Sequence, residues 1–191
     1  MSVVVGMKIR EGSVLLAADR RQASQHSLEP PVSKLMHFAD WTIGLVGSVT
    51  DHHLFFNGME SGFDFGDPAA YLDRVLRMKD HFSKQGKNYE VDMELLAARW
   101  DELYCGLSDG SLFPVDSSCI GCPQPGRSLL RRYFEYEMSS DRALRLTKRI
   151  YLATAASYTV VGDGLDVETT ISRPGDTRMK ETFYRPKRVR C

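Results

Sequence analysis

The sequence has no net charge, because its 25 lysine and arginine residues are balanced by 25 aspartate and glutamate residues. A neutral chain lacks the broad electrostatic attraction that drives binding to nucleic acid or to an acidic membrane surface, so we expect neither partner. No apolar run approaches the ~18–20 residues that a membrane-spanning helix needs. No basic segment precedes the short apolar run near the start of the sequence, so we expect no signal peptide. The four cysteines are then expected to be free thiols in the cytoplasm.

The sequence also lacks the common motifs for phosphate and metal binding. It contains no glycine-rich phosphate loop, so we expect that the chain itself does not use ATP. Cys119 and Cys122 form one C-x-x-C pair, but no second pair and no nearby histidine accompany it, which is weak evidence for zinc. We therefore predict no metal and no cofactor.

Hydrophobic residues make up 42% and charged residues 26% of the 191 positions, which is the composition of an ordinary globular protein. A chain of this length can bury about 70% of its unfolded surface, and no linker-like segment divides it. We expect residues 1–191 to form one domain.

Strand-like and helix-like runs follow one another in blocks. Apolar periodicity predicts four strands, two helices, three or four strands, two helices and two final strands. Asp67 and Pro68 predict the start of the second helix, because aspartate is a good N-cap and proline is favoured at the first helical position. Strands grouped between helix pairs favour an α+β fold with two stacked sheets and helices outside. The predicted strands cover about 3–9, 14–18, 34–38, 41–46, 93–100, 102–107, 111–115, 165–171 and 181–184, and the helices cover about 49–60, 68–83, 126–137 and 140–153.

Ser2 is the first candidate functional residue. An initiator methionine is normally removed when the next residue is small, which would leave Ser2 with a free α-amine. Such an amine titrates close to neutral pH, so much of it is uncharged and can accept the proton of the neighbouring hydroxyl. Many proteins begin with Met-Ser, so this hypothesis depends on the surrounding residues.

Three residues supply those surroundings. Asp19 and Lys34 each lie at the edge of a predicted strand, and Gly47 follows a strand and precedes a helix. A lysine near the terminal amine would favour its neutral form by charge repulsion, and the aspartate would hold that lysine charged and in place. The N–H of Gly47 could stabilise an oxyanion. Taken one at a time, these residues are ordinary strand-end charges and a turn glycine.

Four ordered segments of the first quarter resemble the β-type subunits of the proteasome, a family that includes the bacterial HslV and Anbu groups. The segments are residues 3–8, 14–21, 33–36 and 46–51. The resemblance implies a four-layer αββα sandwich, the fold of N-terminal nucleophile hydrolases. It assigns the nucleophile to Ser2, its support to Asp19 and Lys34, and the oxyanion donor to Gly47.

The same resemblance implies a peptidase that acts on peptides or unfolded proteins and assembles as a homo-oligomeric ring around its sites. An ATPase unfoldase is an expected partner, since the chain itself has no nucleotide motif. Leu45 and Val49, together with residues from the segment 22–34, are predicted to line the substrate pocket. Their apolar character favours cleavage after hydrophobic residues.

Some positions depart from the family pattern. Ser2 stands where most members have threonine, so the methyl group that restricts the rotamer is missing. Cys122 stands where the family has a turn serine. Tyr158 and Val161 fall where an aspartate and a serine usually support the terminal amine. Incomplete support of a site can weaken or abolish its activity. Two alternatives therefore stay open: a catalytically inactive structural subunit or binding module, and an amidohydrolase that acts on a small amide.

Overall fold

A computed structural model describes residues 2–10, 12–20, 33–86, 90–121, 124–158, 164–170 and 180–183. The strands are β1 (Val3–Ile9), β2 (Ser13–Asp19), β3 (Leu35–Phe38), β4 (Trp41–Gly47), β5 (Met93–Arg99), β6 (Glu102–Gly106), β7 (Leu112–Pro114), β8 (Ser117–Gly121), β9 (Leu165–Thr169) and β10 (Lys180–Phe183). The helices are α1 (Val49–Phe56), α2 (Pro68–Ser83), α3 (Gly126–Tyr133) and α4 (Ser140–Ser157).

The strands form two antiparallel sheets. In the described part of the chain each sheet has five strands, in the orders β10-β9-β2-β1-β8 and β3-β4-β5-β6-β7. Two pairings position the site described below. Val3 at the start of β1 lies opposite Gly121 at the end of β8, and Gly47 at the end of β4 lies opposite Met93 at the start of β5.

Buried side chains show how the sheets and helices stack. Successive residues of a strand point to opposite faces, and β1 is buried on both. Val3 packs in the cluster that includes Ile150 of α4, whereas Val4 packs in the cluster that includes Leu96 of the second sheet. The other face of the second sheet packs against the aromatic side chains of α1 and α2, such as Phe55. The layers are therefore helices, sheet, sheet and helices.

This arrangement confirms the predicted α+β class and the αββα sandwich. It also confirms the predicted start of α2, where the Asp67 carboxylate accepts the Ala69 N–H at 2.9 Å and Pro68 is the first helical residue. Among the helices that the structure describes, none is long and apolar enough to cross a membrane.

Some predicted boundaries were wrong. The first helix ends at Phe56 and not near residue 60, because Asn57 is extended and Gly58 adopts a positive φ of 68°. The third helix ends at Tyr133 and not near residue 137. The fourth strand of the middle block is β8, for which no bounds had been predicted. Its first two residues are serines, so it lacks the apolar alternation of the other strands.

Candidate active site

A buried ion pair joins the two sheets beside Ser2. Asp19 ends β2 and is fully buried, and Lys34 immediately precedes β3 in the other sheet. The Lys34 Nζ lies 3.0 Å from both carboxylate oxygens of Asp19. Because the lysine side chain is only 13% exposed, the contact is shielded from water, and each charge depends on the other.

The same aspartate holds the backbone next to Ser2. The Val3 N–H donates a hydrogen bond of 2.8 Å to Asp19 Oδ1. Ser2 therefore enters β1 through a residue whose amide is fixed by a buried carboxylate. The structure thus brings Asp19 and Lys34 into contact and connects both to the segment that carries Ser2.

Gly47 occupies a conformation and a space that require glycine. Its φ is +115°, and a Cβ atom built there would lie 2.0 Å from the Asp92 carbonyl oxygen. The next amide, Ser48 N–H, donates to that same carbonyl oxygen at 2.7 Å. The turn between β4 and α1 is therefore packed directly on the segment that leads into β5.

Asp51 fixes this contact from the helix side. Asp51 is fully buried in the first turn of α1, and its Oδ2 accepts the Asp92 N–H at 2.8 Å. Together with the bond from Ser48 N–H to the Asp92 carbonyl, it ties both peptide groups of Asp92 to the turn. The backbone of Gly47 is thus held from two sides.

Ser2 and Gly47 line one cleft at the end of the sandwich. The cleft has a volume of about 290 Å³. Its described lining consists of Ser2, Val46, Gly47, Asp92, Met93, Glu94, Ser108 and Gly121. Asp19 and Lys34 are not in this lining and lie behind Ser2, where Asp19 contacts the backbone of Val3. The arrangement presents a hydroxyl and a glycine turn to the same space.

Glu94 is a cleft residue that sequence reasoning missed. Its Oε2 accepts the Gly121 N–H at 3.1 Å, so it bridges the two sheets at the cleft. The signal that could have revealed it is local. Glu94 is the one acidic residue of β5, whose neighbours from Leu95 to Ala98 are apolar and buried.

His52 supports the floor of the cleft from α1. One of its ring nitrogens lies 3.2 Å from the carbonyl oxygen of Val46, a lining residue. Burial lowers the pKa of His52 below its ordinary value, and the hydrogen bond to Val46 only partly opposes this effect. The ring is therefore neutral at physiological pH.

Leu45 and Val49, the predicted pocket residues, flank the turn but do not belong to the described cleft lining. Leu45 is 7% exposed and packs in the cluster that contains Phe55 of α1. Val49 is 52% exposed at the start of α1. Residues 21–32, which would supply the rest of the predicted pocket, lie outside the described residues.

Tyr158, the predicted supporting residue, is at the end of α4. It packs on the cluster that contains Ile150 and is not among the described residues that line the cleft. Two further departures from the family pattern, Cys122 and Val161, lie outside the described residues. Histidine, cysteine, aspartate and glutamate side chains form no group suited to a metal ion within the described ranges.

Comparison with models of known protein families shows which family the chain resembles. The family model for proteasome subunits matches residues 2–170, which is most of the chain. No curated protein matches the sequence.

Proposed function

The chain belongs to the proteasome subunit family, and on that premise we propose that it is an N-terminal nucleophile peptidase. In this proposal Met1 is removed and Ser2 cleaves peptide bonds. The observation that carries the proposal is the contact of buried Asp19 with both Lys34 Nζ and Val3 N–H. A buried ion pair is costly to assemble, and this one lies directly behind the candidate nucleophile.

The proposed reaction has two steps. The Ser2 Oγ attacks the peptide carbonyl, while the α-amine, directly or through water, takes the hydroxyl proton. The tetrahedral intermediate collapses as the C–N bond breaks, and the proton passes to the leaving amine. Water then attacks the acyl-enzyme ester, the C–O bond to Ser2 breaks, and the carboxylic acid product and the free hydroxyl are released.

Three residues support that chemistry. The Gly47 N–H stabilises the oxyanion, and removal of one such donor typically lowers the rate by ~10²–10³. The Lys34 ammonium favours the neutral form of the α-amine by charge repulsion. The contact with Asp19 keeps Lys34 charged and positioned. These roles are consistent with the rigid turn at Gly47 and with the fixed backbone of Val3.

The proposal includes the setting of the enzyme. Residues 1–191 form one domain that assembles with further copies into a ring, and the substrate is a peptide or an unfolded protein. An ATPase unfoldase is the proposed partner. Leu45 and Val49 flank the Gly47 turn outside the described cleft lining, and we propose that they contribute, with residues of the segment 22–34, to an apolar substrate pocket. Cys105 is a free thiol, which is in keeping with a cytoplasmic location.

One observation favours a second candidate, an inactive structural subunit of the same fold. Tyr158, which the resemblance places where the family has a supporting aspartate, packs on the helix side of the first sheet. From that position it offers no carboxylate to a terminal amine.

An active-site label tests the proposal. The purified protein is incubated with a peptidyl β-lactone, its intact mass is measured, and any adduct is located by peptide mapping. We expect loss of Met1 and one adduct on Ser2, absent in Ser2→Ala and retained in Ser83→Ala at the exposed end of α2. Protein that lacks Met1 but carries no adduct on Ser2 would favour the structural subunit.

A further inference from the structure

Glu94 points into the space between the two sheets at the cleft. It lies directly opposite Val46 in the β4–β5 pairing, and directly opposite residues of antiparallel strands project to the same face. Val46 packs in the cluster between the sheets. Glu94 is half-buried at the end of that cluster, and even partial burial of a charge is costly unless it is compensated by a partner.

The observed partner of Glu94 is the residue that touches Ser2. Glu94 Oε2 accepts the Gly121 N–H at 3.1 Å. Gly121 has a φ of +86°, and a Cβ atom there would lie 2.1 Å from the Ser2 carbonyl oxygen. The backbones of Gly121 and Ser2 are therefore in close contact, and Glu94 holds one side of that contact.

We propose that Glu94 is a positioning residue for Ser2. Its Oε2 holds Gly121 against the Ser2 backbone, and its Oε1 presents a negative charge and a hydrogen-bond acceptor to the Ser2 α-ammonium. The inference rests on the proposed function, in which Met1 is removed.

Several charged groups face the α-amine in this arrangement. Lys34 and Asp19 lie behind Ser2 as an ion pair. Asp92 and Glu94 are the charged side chains of the described cleft lining, and Asp92 is exposed at the rim. Glu94 therefore opposes Lys34, since it favours the protonated amine that Lys34 disfavours.

The substitution Glu94→Gln separates charge from packing. Glutamine has the same shape, and its side-chain oxygen can still accept the Gly121 N–H. Only the negative charge is lost, so a purely structural residue would tolerate the change. Asp73→Asn is the matched control, because it removes one negative charge from the exposed face of α2, and Asp73 is not among the described residues that line the cleft.

The experiment measures two quantities on full-length protein from which loss of Met1 has been checked by intact mass. The first is the rate at which the peptidyl β-lactone acylates Ser2 between pH 5.5 and 9. The second is the titration of the α-amine itself, followed by NMR after ¹³C-dimethylation. In Glu94→Gln we expect the midpoint of the pH dependence of acylation and the midpoint of the α-amine titration both to fall. The expected shift is about 0.5 pH unit or more, as for unit charges about 6 Å apart in water-like surroundings. In Asp73→Asn we expect no shift.

The outcomes distinguish the proposed role of Glu94 from the proposed peptidase function. A wild-type protein that is acylated on Ser2, with Glu94→Gln midpoints equal to the wild-type values, overturns the role of Glu94 and leaves the proposed function intact. A wild-type protein that is not acylated contradicts the proposed function. In that case the α-amine titration still tests the contact between Glu94 and Ser2, and equal midpoints overturn it.

Discussion

At the scale of single residues, the ammonium of Lys34 stabilises the buried negative charge of Asp19. Asp19 is fully buried, and Lys34→Met would leave its carboxylate with the Val3 N–H and without the ammonium. Removal of one partner from a buried ion pair typically costs about 3–5 kcal/mol. We expect a loss of about 3 kcal/mol in the free energy of unfolding, measured by urea denaturation.

The double variant Lys34→Met, Asp19→Asn provides the control for that loss. The asparagine oxygen can still accept the Val3 N–H, and no uncompensated charge is buried. The double variant should be more stable than Lys34→Met alone. The loss of unfolding free energy in the double variant is compared with the losses in Lys34→Met and Asp19→Asn measured singly. If the double loss equals the sum of the single losses, the ion pair is not coupled as the 3.0 Å contacts indicate.

Gly47 allows a second test with a matched glycine. Gly47→Ala places a Cβ atom against the Asp92 carbonyl oxygen in a backbone of positive φ. We expect a destabilisation of about 3 kcal/mol and loss of Ser2 acylation, because the turn must move. Gly58 also has a positive φ, but a Cβ there has no neighbour within 4 Å. Gly58→Ala should cost only about 1 kcal/mol and should leave acylation unchanged.

At the scale of elements, an arginine of α2 caps the end of α1. Arg74 donates through Nη2 to the Leu54 carbonyl at 3.1 Å and also donates to the carbonyls of Phe55 and Asn57. These carbonyls have no partner within a helix that ends at Phe56. We expect Arg74→Met to lower the free energy of unfolding by about 2 kcal/mol in urea denaturation.

Arg77 is the comparison for Arg74. Its ion pair with Asp73 lies on the exposed face of α2, and such pairs contribute about 0.5 kcal/mol or less. Arg77→Met should therefore have a small effect. Equal losses for the two variants would show that Arg74 does not hold α1.

His52 lies at the junction between β4 and α1 and makes the stability of the folded protein depend on pH. Burial lowers the pKa of His52 in the folded protein from 6.5, so in the interval just below pH 6.5 the unfolded chain binds more protons. Stability therefore falls as the pH is lowered through this interval. We expect urea midpoints to decline from pH 7.5 to pH 5.5, with a shallower decline in His52→Gln.

Local signals predicted local features well. Asp67 and Pro68 specify the start of α2 because a cap involves neighbouring residues. The end of α1 was missed, although Asn57 and Gly58 were visible in the sequence. The helix stops there because the segment that follows is held by tertiary packing, with Phe65 buried in the same cluster as Phe55 of α1.

At the scale of the whole molecule, the important contacts join segments that are distant in sequence. Asp19 and Lys34 could be placed at strand edges from the sequence, but their contact depends on how the two sheets stack. The bond between Glu94 and Gly121 spans 27 positions and both sheets. Hydrophobic periodicity predicts which face of each strand is buried, but it does not predict how one sheet is aligned over the other. The family resemblance supplied Ser2 and its partners, and it carried no information on Glu94.

The central claim is that a free α-amine on Ser2 is the base for its own hydroxyl. The most direct measurement compares hydrolysis of a fluorogenic peptide by protein that begins at Ser2 and by the same protein with Met1 still attached. The account predicts turnover in the first and a loss of about 100-fold or more in the second, because an amide nitrogen cannot accept the proton. Equal turnover in the two proteins, or turnover that survives in Ser2→Ala, would contradict the account.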